Sequence, residues 1–168
     1  MVIHDGIRDY WVSYLSRQPH AVFAVLDAAR DPGVLKLVHE MRAYESLFDG
    51  EELADVAPYL VAVTPAMLER VVAKAWGKSW GVLFTSSYPL VAIRQHLQRL
   101  LDAQTEDGAH YMFRFYDPRV LRKIVPACTP DEIDELLGPI DRFVIEGRIV
   151  TCAHEVARAE TVTIGVAT

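Results

Sequence analysis

The chain has little of what catalytic and cofactor-binding proteins usually display. It contains only two cysteines, Cys128 and Cys152, and neither sits in a CxxC or Cys/His ligand pattern. That pattern predicts reduced thiols in a reducing compartment rather than a disulfide or zinc framework. No two of the six histidines fall at i, i+4, and none has a Glu-x-x-His partner, so no metal site is expected. There is no GxGxxG and no GxxxxGK[ST] loop, so no nucleotide cofactor is expected either. Ser86-Ser87 lies where a nucleophile elbow would lie, but the flanking glycines of G-x-S-x-G are missing, and both serines read as helix caps. Positive charge is scarce as well. Lys and Arg number 17 against 23 Asp and Glu, a formal net charge of -6, which argues against nucleic acid or an anionic membrane as partner. No apolar run reaches the ~20 residues that span a bilayer, and no apolar segment follows a basic N-terminus. We expect a cytoplasmic protein with no membrane insertion and no signal peptide.

What the chain does have is a core. Apolar residues make up 51% of it and charged residues 24%, a globular balance. Residues 1–168 suit a single domain. Residues 7–17 carry an apolar stripe of Ile7, Tyr10, Trp11, Tyr14 and Leu15 and predict a helix. Ala21 to Leu26 is a continuous apolar run of strand length, which predicts a strand buried on both faces. Asp31-Pro32 opens a helix to about Arg42, and Leu47 and Phe48 tuck a following loop onto the core. Pro58–Val63 and Trp80–Thr85 predict two more strands. Between them Thr64-Pro65 starts a helix that Gly77 ends. A fourth helix follows Tyr88-Pro89, and Asp107-Gly108 marks a turn. Tyr111 to Tyr116 alternates aromatics with other residues and reads as a strand, closed by Asp117-Pro118 at the start of the next helix. Thr129-Pro130-Asp131-Glu132 is a capping box before a short helix, and residues 141–153 read as a β-hairpin about Glu146-Gly147-Arg148. Residues 155–168, where Val162, Ile164 and Val166 alternate, read equally as an edge strand or a frayed tail. This alternation predicts an α/β domain: a mixed, mostly parallel sheet flanked by helices, with a short helix and a β-hairpin at the C-terminal end.

The candidate chemistry sits at strand ends. Asp27, Arg30 and Asp31 follow the first strand, and Arg114, Asp117 and Arg119 surround the Tyr111–Tyr116 strand. In a mainly parallel sheet both sets would share the carboxyl edge, where α/β proteins place ligands. Two readings compete. A small hydrolase or phosphotransfer enzyme would use these carboxylates and guanidiniums. Alternatively they are structural: Arg114, if buried, must be paired, and Asp27 or Asp117 can receive its planar fork. The structural reading is preferred, because no metal cluster, nucleophile or phosphate loop accompanies the charges. Trp11, Trp76, Trp80, Tyr10, Tyr14, Tyr59 and Tyr88 are assigned to the core by default. Any exposed member would be an interface anchor.

One ordered set of motifs is specific. It comprises Leu26-Asp27-Ala28-Ala29-Arg30-Asp31-Pro32, Ser46-Leu47-Phe48-Asp49-Gly50, Ala57-Pro58-Tyr59-Leu60-Val61, Trp80-Gly81-Val82, His96-Leu97-Gln98-Arg99-Leu100-Leu101, Phe113-Arg114-Phe115-Tyr116-Asp117-Pro118-Arg119-Val120 and Gly138-Pro139-Ile140. Over about residues 20–145 the chain resembles the type VI secretion effector-adaptor domain, the Tap or TEC chaperone family, catalogued as a domain of unknown function. The resemblance implies a cytoplasmic, non-catalytic bacterial adaptor without cofactors. Such a protein binds a secreted effector, often near its N-terminal region, and helps load it onto a VgrG or PAAR spike protein. It marks Asp27, Asp31, Tyr59, Arg114, Tyr116, Asp117, Pro118 and Arg119 as a structural or partner-binding motif. Many family members continue with a variable region after the Gly-Pro motif, whereas about thirty residues follow it here. An immunity-type inhibitor, which also binds a toxin but silences it, is the remaining alternative to the adaptor and the enzyme.

Overall fold

The computed structural model describes residues 2–145 and 148–151. Helix α1 (Val2–Ser16) leads into strand β1 (Ala21–Asp27), a single 3-10 turn (Ala28–Arg30) and α2 (Pro32–His39). The short strand β2 (Tyr44–Ser46), a 3-10 segment (Glu51–Val56) and β3 (Pro58–Val63) follow. Next come α3 (Pro65–Ala75), β4 (Gly81–Ser86) and α4 (Leu90–Leu101), then the small strands β5 (Asp102–Gln104) and β6 (His110–Met112). The chain continues through α5 (Pro118–Ile124), a 3-10 turn (Val125–Ala127), α6 (Pro130–Leu137), β7 (Arg142–Ile145) and β8 (Arg148–Thr151).

One six-stranded sheet in the order β2-β3-β1-β4-β7-β8 forms the middle layer, and β5 and β6 make a separate two-stranded sheet. Strand β1 is central and pairs with β3 from Val22↔Val63 to Asp27↔Pro58, and with β4 from Ala21↔Ser86 to Leu26↔Gly81. Its side chains alternate between the two faces. Ala24 and Leu26 join Trp11, Leu15, Leu37, Val71 and Trp80 in a core beneath α1, α2 and α3. Phe23 and Val25 join Phe84, Phe143, Ile93, Leu97, Phe115 and Leu121 in a core beneath α4, α5 and α6. A strand covered on both sides has no polar face to show, which explains the unbroken apolar run. Each large side chain buried this way contributes roughly 1.5–3 kcal/mol.

The predicted mostly parallel sheet is corrected by the structure: every described pairing is antiparallel. The reason is topological. Helix α3 does carry the chain between two strands of like direction, β3 and β4, but β1 lies between them and runs opposite to both. Alternation of strand and helix constrains the direction of successive strands, not which strands become neighbours. Gly81 is what lets β4 close against β1, since a Cβ there would lie 1.9 Å from the Val25 carbonyl oxygen.

The Tyr111–Tyr116 strand is also corrected. Strand β6 stops at Met112, and residues 113–116 form a loop. The Asp107-Gly108 turn falls where expected: Gly108 adopts φ +84°, its N–H donates to the Thr105 carbonyl, and β5 and β6 pair on either side. β7 and β8 pair antiparallel as the predicted hairpin requires, with Ile145 opposite Arg148. Cys152 and the reading of residues 155–168 lie outside the described residues.

Candidate interaction surface

The strand-end charges assemble into two junctions, each built on a buried carboxylate. Asp27 is 1% exposed at the end of β1. Its Oδ1 accepts from the Ala29 amide at 3.1 Å, capping the 3-10 turn, and its Oδ2 accepts from Arg114 Nη2 at 2.9 Å. Arg114 arrives from the loop after β6, not from a strand. Its guanidinium also lies over the Tyr116 ring, 5.6 Å from the centroid, within cation–π range. Burial works against the Arg114 charge, but the adjacent Tyr116 and Asp27 outweigh it and hold its pKa above the ordinary value. Burial pushes the Tyr116 hydroxyl pKa up, with Arg114 opposing.

Asp117 is 4% exposed and caps α5. Its Oδ1 accepts from the Arg119 amide at 2.9 Å and from Arg119 Nε at 3.0 Å, and its Oδ2 accepts from Arg119 Nη2 at 2.7 Å. Pro118 fills the first helical position and is buried, where its absent N–H leaves no bond unmade. Burial alone would raise the Asp117 pKa. The hydrogen bonds from the Arg119 side chain and amide, with the Arg119 and Arg114 charges, overcome it and hold the carboxyl below its usual range.

The remaining motif residues act locally. Asp31 caps α2 through a 2.6 Å bond from the Gly33 amide. Tyr59 is buried in β3, and its hydroxyl donates to the Ala54 carbonyl at 2.8 Å, holding the 3-10 segment against the sheet. The structure therefore divides the eight marked residues. Asp27, Arg114 and Tyr116 meet, Asp117, Pro118 and Arg119 meet, and Asp31 and Tyr59 work separately. A general base needs a proton acceptor with a free lone pair and a pKa near the working pH. Asp117 has the opposite setting, its carboxyl held below the usual range. The hydrogen bonds of these groups tie β1 to the loop after β6, and the start of α5 to its own first turn.

Other expectations resolve individually. The capping box is present: Thr129 Oγ1 accepts from the Glu132 amide, and Glu132 accepts from the Thr129 amide. Ser86 does not cap α4. It accepts from the Tyr88 amide and donates to the Pro139 carbonyl, and Pro89 stands at the N-cap. Trp11, Trp80 and Tyr59 are buried, whereas Tyr10 and Tyr88 are exposed. Cys128 is half-buried, and burial pushes its thiol pKa up.

Sequence reasoning missed two features. The first is His96, buried on α4. Its Nε2 lies 3.0 Å from the Leu136 carbonyl, and its ring packs where a Cβ on Gly138 would stand. Desolvation lowers its pKa, partly opposed by the Leu136 bond. The second is an open groove of about 370 Å³ between residues 47–53 and the β5–β6 hairpin. Leu47 and Leu101 lie at its base, Leu53, Tyr111 and Met112 are exposed along it, and Asp49 and Asp102 edge it. The sequence held a signal for this groove: Leu53 is an apolar residue set in the acidic stretch of residues 51–55.

Among the described residues no group of three or more His, Cys, Asp and Glu is placed to hold a metal ion, and no helix is long and apolar enough to cross a membrane. No curated protein and no solved structure matches the chain. A family model described as Domain of unknown function (DUF4123) matches residues 22–135, the segment that contains both carboxylate junctions and the groove. That match covers more than half of the chain, and the protein belongs to this family.

Proposed function

We propose that this protein is a non-catalytic cytoplasmic adaptor that binds a type VI secretion effector and helps load it onto a VgrG or PAAR spike protein. The observation that carries the reading is the family match over residues 22–135, which covers all but the last of the ordered motifs that resemble the effector-adaptor domain. The site geometry supports it from the chemical side. The charged residues that would serve an enzyme are bonded to one another and to helix amides, and three exposed apolar side chains, Leu53, Tyr111 and Met112, line an open groove.

The test is co-expression with the spike protein and effector encoded beside this chain, followed by a pull-down on the adaptor's tag. Capture of the effector, alone or with the spike protein, is the expected result. A stable pair should bury roughly 1,200–2,000 Å². Capture of neither neighbour overturns the reading. If the effector is captured and its toxic activity is lost in the complex, the protein is an inhibitor instead. An Asp117→Asn variant should capture the effector as the wild type does. Turnover of a small-molecule substrate that this variant loses would return the strand-end charges to catalysis.

A further inference from the structure

The groove beside the β5–β6 hairpin combines exposed apolar side chains with charge of one sign. Leu53, Tyr111 and Met112 are 43%, 61% and 59% exposed, and all three line the groove. The two segments that bound it, residues 44–56 and 102–112, contain Glu45, Asp49, Glu51, Glu52 and Asp55 in the first and Asp102, Glu106 and Asp107 in the second, with no Lys or Arg in either. Arg94 of α4 enters from below. It bonds the Ser46 carbonyl at 3.0 Å and reaches Asp49 at 3.3 Å and Glu45 at 4.0 Å, so it offsets part of the charge at the base. His110 Nδ1 lies 2.7 Å from Asp102. The Asp49 side chain nevertheless remains 89% exposed, and Glu51, Glu52 and Asp55 are exposed as well.

We propose that this groove docks a basic peptide segment whose Leu- or Phe-type anchors are flanked by Lys or Arg. The proposal rests on the adaptor reading for the identity of the partner, since the segment would belong to the effector. The pairing is chemical. Desolvated apolar anchors supply most of the binding energy, and complementary charge at the rim steers encounter and rejects acidic segments. The groove is open rather than enclosed, which suits a peptide lying across it better than a small molecule buried on all sides.

The test uses the full chain and two probes. The first is a short synthetic peptide of Leu and Phe flanked by Lys, with a control in which Glu replaces Lys. We expect the Lys peptide to bind, the Glu peptide not to bind, and added salt to weaken binding. Amide shift changes should concentrate at residues 47–56 and 101–112. A Leu53→Ser/Met112→Ser variant should weaken the Lys peptide by about tenfold or more, as loss of central apolar anchors does. A Val91→Ser variant, altered at an exposed apolar residue on α4 that does not line the groove, should leave it unchanged. Equal binding of the two peptides, or equal binding by wild type and the Leu53/Met112 variant, overturns the proposal.

The second probe is effector capture. If the wild type captures the effector and the Leu53/Met112 variant captures it equally, the groove proposal is wrong and the adaptor reading stands. If the wild type captures no neighbour, the adaptor reading falls and the peptide result alone decides the groove. A wild-type dimer that the same variant dissociates would make a second copy of this chain the occupant and would also overturn the proposal.

Discussion

The two carboxylate junctions are made of the same pieces and differ in reach. Asp117 finds its arginine two residues along the chain, and both belong to the start of α5. Asp27 finds its arginine 87 residues away, in a loop that leaves a different sheet. The first junction can form as soon as its helix does. The second exists only when β1, the β5–β6 hairpin and α5 have all taken their places. One is a helix cap reinforced by a side chain, and the other is a tertiary latch. Their arginines are similarly exposed on the outer side, at 43% for Arg114 and 52% for Arg119, so the difference lies in what each one holds.

The largest effect should come from breaking the latch on its basic side. Arg114→Ala leaves the Asp27 carboxylate buried with one amide as partner, and an uncompensated buried charge of this kind costs about 3 kcal/mol. Chemical denaturation should show that loss. A change below about 0.5 kcal/mol, the usual bound for an unremarkable surface substitution, would mean that the latch adds nothing beyond surface charge. Arg114→Lys should recover only part of it, because an ammonium cannot reproduce the guanidinium's fork and its stacking on Tyr116.

Next in size is the cap. Asp117→Ala removes the acceptor of the Arg119 amide and should cost roughly 0.5–2 kcal/mol. The loss should fall mainly on α5, seen as faster amide exchange at Arg119 and Val120, while exchange in β1 stays slow. If β1 and α5 loosened together, the cap would be as tertiary as the latch, and the contrast between the two junctions would disappear.

A smaller effect separates charge from hydrogen bonding at the same position. The folded-state pKa of Asp117 lies below its ordinary value of 3.8. A depressed carboxylate contributes stability that is fully present above the unfolded-state pKa and is lost as pH falls through the folded one. The stability difference between wild type and Asp117→Asn should therefore be constant near neutrality and shrink below about pH 3.8. A difference that stayed flat to lower pH would mean that the Asp117 charge contributes nothing to it, since Asn keeps an oxygen that can accept from the Arg119 amide. A last comparison comes from Arg119→Ala. It leaves Asp117 buried with the residue 119 amide as partner, as Arg114→Ala leaves Asp27, but the Arg114 charge still acts on Asp117, so the loss should be smaller than that of Arg114→Ala in the same denaturation experiment.

Local rules found the local junction. Asp followed by Pro before an apolar helical stripe announces an N-cap, and Asp31-Pro32 and Asp117-Pro118 both form one. Thr129 to Glu132 announces a capping box, and the box is present. Asp27 could be named as a partner for Arg114, but not chosen over Asp117, because the choice depends on where the hairpin delivers the guanidinium. Reading Tyr111–Tyr116 as one strand failed for a related reason. Alternating aromatics fit a strand, yet here Phe115 and Tyr116 leave the hairpin to fill the core beneath α4, α5 and α6. Tyr111 and Met112 remain outside, where they line the groove.

By itself the sequence determined the helices, the long strands, the doubly buried strand after the first helix, most of the caps and an acidic chain without a cofactor motif, because each of these follows from residues close together. The tertiary structure decided the antiparallel order of the sheet, the pairing of Asp27 with Arg114, the seat of His96 against Gly138 and the groove between two segments far apart in the chain. Those depend on which elements become neighbours, and only packing of both faces of the sheet at once selects that.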